Sequence, residues 1–239
     1  MICGRNPVRE ALRAGRPLHK LLLARDGGGV LREIAALARA RGVPVQFADR
    51  AALDRAAGGV RHQGVVCFAA PVAYADLDDV VAGKKDPFLV ALAGVQDPQN
   101  LGAVIRTAEA AGADGVVIPA RRAAGVTPAV ARASAGAVAH LPIARVPNLA
   151  QSLGRLKEKG LWVVGADPQA PTVYWDADLG GALVLVIGGE EAGLGRSVRE
   201  ACDLLVRVPM VGKVGSLNAS VAAALLIYEA FRQRRRHGS

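Results

Sequence analysis

The chain has 239 residues, and 51% of them are hydrophobic, which is enough to bury the core of one large domain or of two small ones. Aromatic residues make up only 4%, which argues against binding of single-stranded nucleic acid by rows of stacking aromatic side chains. The formal charge is +9, and 24 of the 30 basic residues are Arg, which suits bidentate contacts to phosphate. Charge alone therefore leaves two alternatives open, a nucleic-acid partner and a merely solvated basic surface.

The cysteines and the chain start bear on compartment and metal binding. Cys3, Cys67 and Cys202 lie far apart without a Cys-x-x-Cys pair, so neither a disulfide framework nor a zinc site is predicted. No cluster of His, Cys and carboxylate residues suggests another metal site. The start carries charge where a signal peptide needs a hydrophobic run, and no apolar run approaches the roughly 20 residues that span a membrane. We expect a cytoplasmic protein with reduced thiols, without a metal and without a membrane partner.

Residues 1–70 are predicted to form a small α/β unit. Asn6 is expected to cap a helix that carries Pro7 in its first turn and ends at Gly15. A second helical pattern covers residues 30–42. Strand-like apolar runs follow or precede these helices at residues 20–24, 43–48 and 64–70.

Residues 71–87 and 88–239 complete the predicted organisation. The segment 71–87 loses clean periodicity, is bounded by prolines and gathers charges, so we interpret it as a linker. From residue 88 onwards, runs rich in Val, Ile and Leu alternate with helical patterns, which is typical of a parallel sheet covered by helices on both faces. The predicted fold class is α/β. The predicted strands lie at residues 88–94, 114–120, 141–146, 161–166, 182–189 and 204–210.

Ligands of open parallel sheets gather beyond the carboxyl ends of the strands, so the loops there are candidate sites. In residues 94–112, Asn100 is expected to cap a helix that begins at Leu101. Arg106 lies opposite the apolar stripe of that helix and therefore faces water or a ligand. Taken alone, the stretch favours simple capping and a surface ion pair of Arg106 with Glu109.

Residues 186–198 form a second, glycine-rich loop after an apolar strand. Its glycines allow a ligand to approach the backbone closely, and Glu190 could accept a hydrogen bond or cap a helix. The G-x-G-x-x-G spacing of a dinucleotide site is absent, so a nicotinamide dehydrogenase is not favoured. An ordinary glycine-rich turn is the alternative.

Residues 208–220 form a third loop, which leads into the last helix. It is not a nucleoside-triphosphate loop, because its Gly-Lys pair is not followed by Ser or Thr. Ser216 is expected to cap the helix. Asn218 and Ser220 lie inside the helix start, where propensity favours Ala or Leu, so we expect them to bond other groups across the site.

Together and in this order, the three loops closely resemble the motifs of the SpoU/TrmH family of RNA ribose 2′-O-methyltransferases. The matching stretches are DPQNLGAVIRTAEAAGADGVVIP, VIGGEEAGLG and VPMVGKVGSLNASVAAALLIYE. The resemblance covers residues 88–231. The GRNPVREAL start and the small preceding unit are similar to the RlmB-type branch, which methylates a guanosine of 23S rRNA.

The resemblance implies a domain whose C-terminal segment is threaded into a deep trefoil knot of the SPOUT type, which no periodicity argument could predict. It implies S-adenosylmethionine as the methyl donor without a metal, and a homodimer through the knotted domain. Residues 1–70 would then be a ribosomal-protein-like domain that binds the RNA substrate. A tRNA ribose 2′-O-methyltransferase and a non-catalytic RNA-binding or ribosome-assembly protein are the alternatives. Candidate RNA contacts in the first unit are Arg5, Arg9, Arg13 and Arg61.

The resemblance also implies roles for individual residues. Two small departures, Ala219 in place of Val and Gly215 in place of Ser or Glu, leave the motif intact. The positions that match the family's polar active site are Asn100, Arg106, Glu190, Ser216 and Asn218. Those that match its methyl-donor pocket are Gly188, Val208 and Leu217, and Met210 lies in the same loop.

Arg106 admits two mechanisms. Family proposals make this residue the general base that deprotonates the ribose hydroxyl, yet a guanidinium is normally a permanent cation and a poor base. Our preferred hypothesis is that Arg106 binds the target phosphate and stabilises negative charge developing on the 2′ oxygen. Asn100 and Glu190 would orient Arg106 and the loops.

Overall fold

The computed structural model of the protein describes residues 1–70, 72–190, 193–213 and 215–237. The chain divides into two compact units. The first comprises Met1–Ala73 with Val126–His140, and the second comprises Tyr74–Gly125 with Leu141–Ser239.

All nine apolar runs predicted as strands form strands, and β1 and β9, which have two residues each, are additional. The strands are β1 (Ile2–Cys3), β2 (Leu18–Ala24), β3 (Val45–Ala48), β4 (Val65–Ala69), β5 (Phe88–Ala93), β6 (Gly115–Pro119), β7 (Ile143–Val146), β8 (Trp162–Ala166), β9 (Thr172–Val173), β10 (Leu183–Gly188) and β11 (Leu204–Arg207). The α-helices are α1 (Arg5–Arg13), α2 (Gly29–Ala40), α3 (Arg50–Ala57), α4 (Leu77–Val81), α5 (Pro98–Ala110), α6 (Pro128–Ala133), α7 (Leu149–Glu158), α8 (Arg196–Ala201) and α9 (Ala219–His237).

The first unit contains a four-stranded sheet in the order β1-β4-β2-β3. Strands β2 and β3 are parallel, while β4 runs antiparallel to both β1 and β2. Leu21, Leu23 and Ile34 are fully buried in its core, which α1 and α2 help to enclose. The α/β character predicted for this part of the sequence is therefore present.

Helix α1 begins before its predicted cap. Gly4 precedes the helix with φ of 100°, a backbone conformation that glycine adopts without strain from a Cβ atom. Asn6 consequently lies inside the helix, where its side chain accepts a hydrogen bond from Arg9 at 3.1 Å. The prediction that Asn6 caps this helix is wrong, because Gly4 takes the cap position and the helix starts two residues earlier than predicted.

Three of the four arginines expected to contact RNA are engaged within the first unit. Arg61 is exposed, and its side chain makes no hydrogen bond or ion pair with another described residue. The engaged side chains are Arg5, which donates to the carbonyl oxygen of Gln63 (3.1 Å), Arg9, which donates to Asn6 (3.1 Å), and Arg13, which donates to Glu10 (3.0 Å).

The second unit is built on a seven-stranded sheet in the order β7-β6-β5-β10-β8-β11-β9, and its neighbouring strands are parallel. Strand β5 is buried along its whole length, and β10 is buried except at its last residue. This burial explains why both sequences are nearly continuous apolar runs. Helix α9 packs against α5 and β10 through a buried stripe that includes Leu226 and Ile227. The predicted parallel sheet is confirmed.

Residues 74–87, expected as part of a linker, belong to the second unit. Asp76 caps α4 by accepting a hydrogen bond from the backbone nitrogen of Asp78 at 2.8 Å. Leu77, Val80 and Val81 of this helix are buried in the core beside the sheet. Three apolar residues are too few to produce a recognisable helical period, which is why the sequence alone suggested a linker.

Candidate active site

A cavity of about 460 Å³ lies beyond the carboxyl ends of β8, β10 and β11. Its volume is within the range of about 300–1,000 Å³ that is common for small-molecule sites. The cavity is the place where most of the residues singled out in the sequence meet. Of the positions matched to a methyl-donor pocket, Gly188, Val208, Met210 and Leu217 line it, and of those matched to a polar active site, Glu190, Ser216 and Asn218 do so.

Two glycines bring the loops around the cavity together. A Cβ atom on Gly188 would lie 2.5 Å from the carbonyl carbon of Gly193, and one on Gly189 would collide with the carbonyl oxygen of Gly94. Any larger residue would therefore force the backbones apart. The backbone nitrogen of Gly189 also donates to the carbonyl oxygen of Ala93 at 2.8 Å. The loop after β10 is thus held against the end of β5.

Asn100, Glu190 and Asn218 form a hydrogen-bonded sequence of side chains, called here the Asn–Glu–Asn chain. The Nδ2 of Asn100 donates to Oε1 of Glu190, and the Oδ1 of Asn100 accepts from Nδ2 of Asn218 at 3.1 Å. Asn100 is only 8% exposed, so pairing both ends of its amide removes a large desolvation penalty. The Asn–Glu–Asn chain fastens the three motif-bearing loops to one another.

Asn100 does not cap helix α5, so that prediction is wrong. The helix begins at Pro98, and Asp97 caps it by accepting a hydrogen bond from the backbone nitrogen of Gln99 at 3.0 Å. Asn100 is the third residue of the helix, where its own side chain has no role in the cap. Because Asp97 satisfies the helix end, the amide of Asn100 is available to Glu190 and Asn218.

Asn218, and not Ser216, caps helix α9. Its Oδ1 accepts hydrogen bonds from the backbone nitrogens of Ser220 (2.9 Å) and Val221 (3.4 Å) and from the hydroxyl of Ser220 (2.6 Å). The expectation that Asn218 bonds across the site is confirmed, because its Nδ2 reaches Asn100. Ser216 instead lies on the cavity wall. One amide therefore starts the last helix and closes the Asn–Glu–Asn chain.

Arg106 is exposed on α5 and is not part of the cavity wall. Val104 and Ile105 are buried on other sides of the helix, as the apolar stripe predicted. The alternative reading of Arg106, an ion pair with Glu109, is not formed, and among the residues that the structure describes the guanidinium has no hydrogen-bond partner. Its donors are therefore available to a ligand that approaches from solvent.

Asp167 is a cavity residue that sequence reasoning missed. It follows β8, lines the cavity, and accepts a hydrogen bond from the backbone nitrogen of Gln169 at 2.8 Å. Its other oxygen pairs with Arg199 of α8 at 2.9 Å, and its side chain is only 11% exposed. The available signal was an acidic residue directly after a buried parallel strand, the position where ligand sites occur.

Metal and thiol chemistry receive little support from the side chains present. The described ranges contain no group of three or more His, Cys, Asp or Glu residues placed to hold a metal ion. Burial raises the pKa of Cys67 to about 12 and that of Cys202 to about 11, so both thiols stay protonated at neutral pH.

No helix among the described residues is long and apolar enough to cross a bilayer.

Known proteins are similar to this chain over nearly its whole length. The profile of the SpoU rRNA Methylase family matches residues 87–228, and a profile described as RNA 2'-O ribose methyltransferase substrate binding matches residues 1–75. YacO of Bacillus subtilis, named as a TrmH family tRNA/rRNA methyltransferase, is 47% identical over 238 residues. That match covers 98% of this chain and 95% of the relative.

Two solved structures are similar in fold. The SpoU methyltransferase AviRb from Streptomyces viridochromogenes, in complex with the cofactor AdoMet, has a TM-score of 0.84 at 29% identity and covers 100% of this chain and 90% of its own. The AdoMet-bound rRNA methyltransferase from Sinorhizobium meliloti has a TM-score of 0.78 at 30% identity, with coverage of 96% and 84%. Fold and site thus define an α/β RNA methyltransferase. The chain belongs to the SpoU rRNA methylase family.

Proposed function

We propose that this protein methylates the ribose 2′-hydroxyl of a guanosine in 23S rRNA. As a member of its family it is an RNA methyltransferase, and S-adenosylmethionine (SAM) is the methyl donor. One observation carries the proposal. The loops that resemble the three family motifs meet in the Asn–Glu–Asn chain beside a cavity of suitable size.

The cavity residues fit the two ends of SAM. Ile187, Val206 and Leu217 supply an apolar wall suited to an adenosyl group, and the glycine backbone around Gly188 supplies amide groups without side-chain bulk. Ser216 and the carboxylate of Glu190 supply polar groups on the same cavity. Gly188, Val208, Met210 and Leu217 would therefore hold the methyl donor, mostly through backbone atoms and aliphatic contacts.

Methyl transfer requires alignment more than any special reagent. When bound, SAM supplies a methyl carbon made electrophilic by its sulfonium sulfur. The 2′ oxygen forms a bond to that carbon while the carbon–sulfur bond breaks, and the hydroxyl proton leaves to water. The Asn–Glu–Asn chain, with Ser216 on the adjoining wall, would hold the loops so that the RNA ribose and the methyl group meet in line.

Arg106 would act as a fixed cation in this reaction. Its uncommitted donors suit a bidentate contact to the phosphate beside the target ribose. In that position its charge would stabilise the oxygen as the proton leaves. Asn100 lies in the first turn of the same helix, so the Asn–Glu–Asn chain would also fix the direction in which α5 presents Arg106.

Ribosomal RNA is preferred to transfer RNA as the substrate for two reasons. The substrate-binding profile matches residues 1–75, so the first unit would serve as the RNA-binding domain. A solved rRNA methyltransferase also aligns over 96% of this chain, including that unit. Such a substrate is consistent with a cytoplasmic protein. We also propose that the C-terminal segment, of which Val208, Met210 and residues 215–219 line the cavity, is threaded into a deep trefoil knot.

A homodimer would cover an exposed apolar stripe on α9. Val221, Leu225 and Tyr228 recur at helical spacing on the face opposite the buried stripe, with exposures of 47%, 37% and 49%. Tyr174 adjoins them in a shallow apolar groove, and its ring packs against exposed Trp175 at 5.0 Å. Apolar surface of this kind typically marks an interface, and a second copy of the same helix would bury it.

The proposed function is tested with purified protein, tritiated SAM and separate pools of unmodified 23S, 16S and transfer RNA. Nuclease mapping then locates any labelled ribose. Label in one 2′-O-methylated guanosine of 23S RNA would support the proposal in full, while label in transfer RNA alone would redirect it. Absence of label in every pool, together with SAM binding in calorimetry, would favour a non-catalytic assembly role.

A further inference from the structure

Two neighbouring arginines stand on the loop that follows β6. Arg121 and Arg122 are exposed, and within the described ranges neither side chain forms a hydrogen bond or an ion pair. The loop, residues 120–125, contains no acidic residue that could neutralise them. This pair is a concentrated, uncompensated positive charge on the second unit.

The loop that carries the pair is held in place at both ends. The backbone nitrogen of Ala124 donates to the carbonyl oxygen of Val95 at 2.9 Å. Arg145 of β7 donates to the carbonyl oxygen of Ala120 at 2.9 Å, and its guanidinium lies 5.4 Å from the ring centre of Tyr74. The loop that carries the pair is therefore anchored, and the guanidinium of Arg145 adds a third positive charge in contact with it.

Arg122 adopts a backbone conformation that its side chain disfavours. Its φ is +56°, in the left-handed region where a Cβ atom clashes with the backbone and glycine is the usual occupant. Strain of this kind persists where the surrounding structure imposes it, and it concentrates at binding sites. Stability alone would favour Gly at position 122, so the guanidinium needs another explanation.

The pair lies on the same edge of the sheet as the cavity. Strand β6 neighbours β5, and β5 neighbours β10, whose carboxyl end borders the cavity. Two strand spacings amount to about 10 Å, which places the loop after β6 to one side of the Asn–Glu–Asn chain. An RNA strand whose target ribose enters the cavity along this edge would carry its next phosphates past the loop.

We infer that Arg121 and Arg122 bind the backbone phosphates of the substrate RNA next to the methylated nucleotide. This inference rests on the proposed function and adds to it the direction in which the strand leaves the site, over β5 towards β6. Paired arginines suit the role because each guanidinium presents donors that match phosphate oxygens. The contact would position RNA without reading its sequence.

The test compares three variants with the natural protein: Arg122→Gly, Arg121→Ala combined with Arg122→Gly, and a control that combines Lys85→Ala with Lys159→Ala. The control removes two positive charges, as the double arginine variant does. Its two lysines precede β5 and β8 and therefore lie at the opposite edge of the sheet. Binding to a protein-free 23S rRNA transcript is measured by filter retention over a range of salt concentrations. Thermal unfolding and calorimetric SAM binding are measured in parallel.

Arg122→Gly is expected to unfold at the same or a higher temperature, because glycine relieves the strained φ, and yet to bind RNA more weakly. The double variant is expected to raise the RNA Kd about tenfold and to lower the slope of log Kobs against log salt by about 1–2. Its KM for RNA is expected to rise with the Kd, and its SAM affinity is expected to match that of the control.

An RNA Kd and salt slope equal to those of the control would overturn the inference. So would a double variant that loses SAM binding and thermal stability together with RNA binding, since the arginines would then be structural. These readouts do not depend on turnover. If the natural protein methylates none of the RNA pools, the proposed function fails, while the binding comparison still decides the role of the arginine pair.

Discussion

Asn218 both caps helix α9 and closes the Asn–Glu–Asn chain of the candidate active site, and substitutions can separate these two contributions. Its Oδ1 accepts hydrogen bonds from the backbone nitrogens of Ser220 and Val221, at 2.9 and 3.4 Å, while its Nδ2 donates to Asn100 at 3.1 Å. Asn218→Ala removes both contacts. Asn218→Asp keeps an oxygen for the cap and removes the donor, so the pair of variants resolves the two contributions.

The expected magnitudes follow from burial and geometry. Loss of a helix cap costs about 1 kcal/mol of unfolding free energy. Loss of the Asn218 Nδ2 donor leaves the side-chain oxygen Oδ1 of Asn100 without a partner. Because Asn100 is only 8% exposed, this costs about 1–3 kcal/mol. Asn218→Ala should therefore destabilise the protein by about 2–4 kcal/mol, the sum of the two. Asn218→Asp should lose only the second contribution, because an acidic cap also suits the helix dipole.

Rotation of the Asn100 amide cannot repair the Asn218→Asp variant. If Nδ2 of Asn100 turned towards the new carboxylate at position 218, the amide oxygen would face the carboxylate of Glu190, so one of the two contacts is lost in either orientation. Both variants should therefore lower kcat/KM for RNA at least tenfold, a loss of about 1.4 kcal/mol in transition-state stabilisation.

Urea unfolding measures the stability difference, and single-turnover methyl transfer measures the chemistry. Ser220→Ala is the matched control, because it removes the hydroxyl that contacts Asn218 while leaving the Asn–Glu–Asn chain intact. The reasoning is refuted if Asn218→Asp keeps the natural kcat/KM. It is also refuted if Asn218→Ala unfolds within about 0.5 kcal/mol of the natural protein, as an unimportant surface change would.

Three further predictions concern Arg106, Cys67 and the apolar stripe on α9. If Arg106 acts as a cation, Arg106→Lys should keep part of the activity that Arg106→Ala loses; a Lys variant as inactive as Ala, with RNA and SAM still bound, would favour chemistry peculiar to Arg. Because burial raises the pKa of Cys67 from 9.0 to about 12, the unfolded state loses its proton first, and stability should fall as pH rises through this window. Cys67 should contribute about 1.4 kcal/mol to the loss between pH 7 and pH 10, so in urea unfolding Cys67→Ala, in which Cys202 still titrates, should lose less stability than the natural protein by that amount. If the proposed homodimer forms through α9, Leu225→Glu should yield monomers in analytical ultracentrifugation, whereas Arg196→Glu, at an exposed position of α8, should leave the oligomeric state unaltered.

The sheet was predictable because its strands bury long apolar runs. Strands β5 and β10 are enclosed on both faces, and that burial demands the Val-, Leu- and Ile-rich sequence from which they were predicted. Strands β1 and β9, with two residues each, and α4, with one short buried face, carry too little periodicity to be recognised. The more apolar surface an element buries, the more clearly its hydrophobic pattern can be recognised in the sequence.

The helix caps show where sequence reasoning fails. Near the start of α5 both Asp97 and Asn100 are suitable caps, and near the start of α9 both Ser216 and Asn218 are. Local propensity does not distinguish between such neighbours. The choice is made by a partner about 90–120 positions away, since Asn100 is engaged by Glu190 and Asn218. The same limit applies to Asp167, which follows β8 and whose partner Arg199 lies 32 positions later on α8.

The three residues of the Asn–Glu–Asn chain lie far apart in the sequence, and this distance has a consequence for protein synthesis. Asn100 and Glu190 emerge from the ribosome well before Asn218, which lies 118 positions after Asn100. Until Asn218 arrives, the buried amide of Asn100 lacks one partner, and the cavity lacks the wall that residues 215–219 provide. A nascent or prematurely terminated chain that ends before residue 215 would thus lack part of the proposed methyl-donor pocket. If the cavity holds the methyl donor as proposed, catalytic competence is delayed until translation has passed the start of α9.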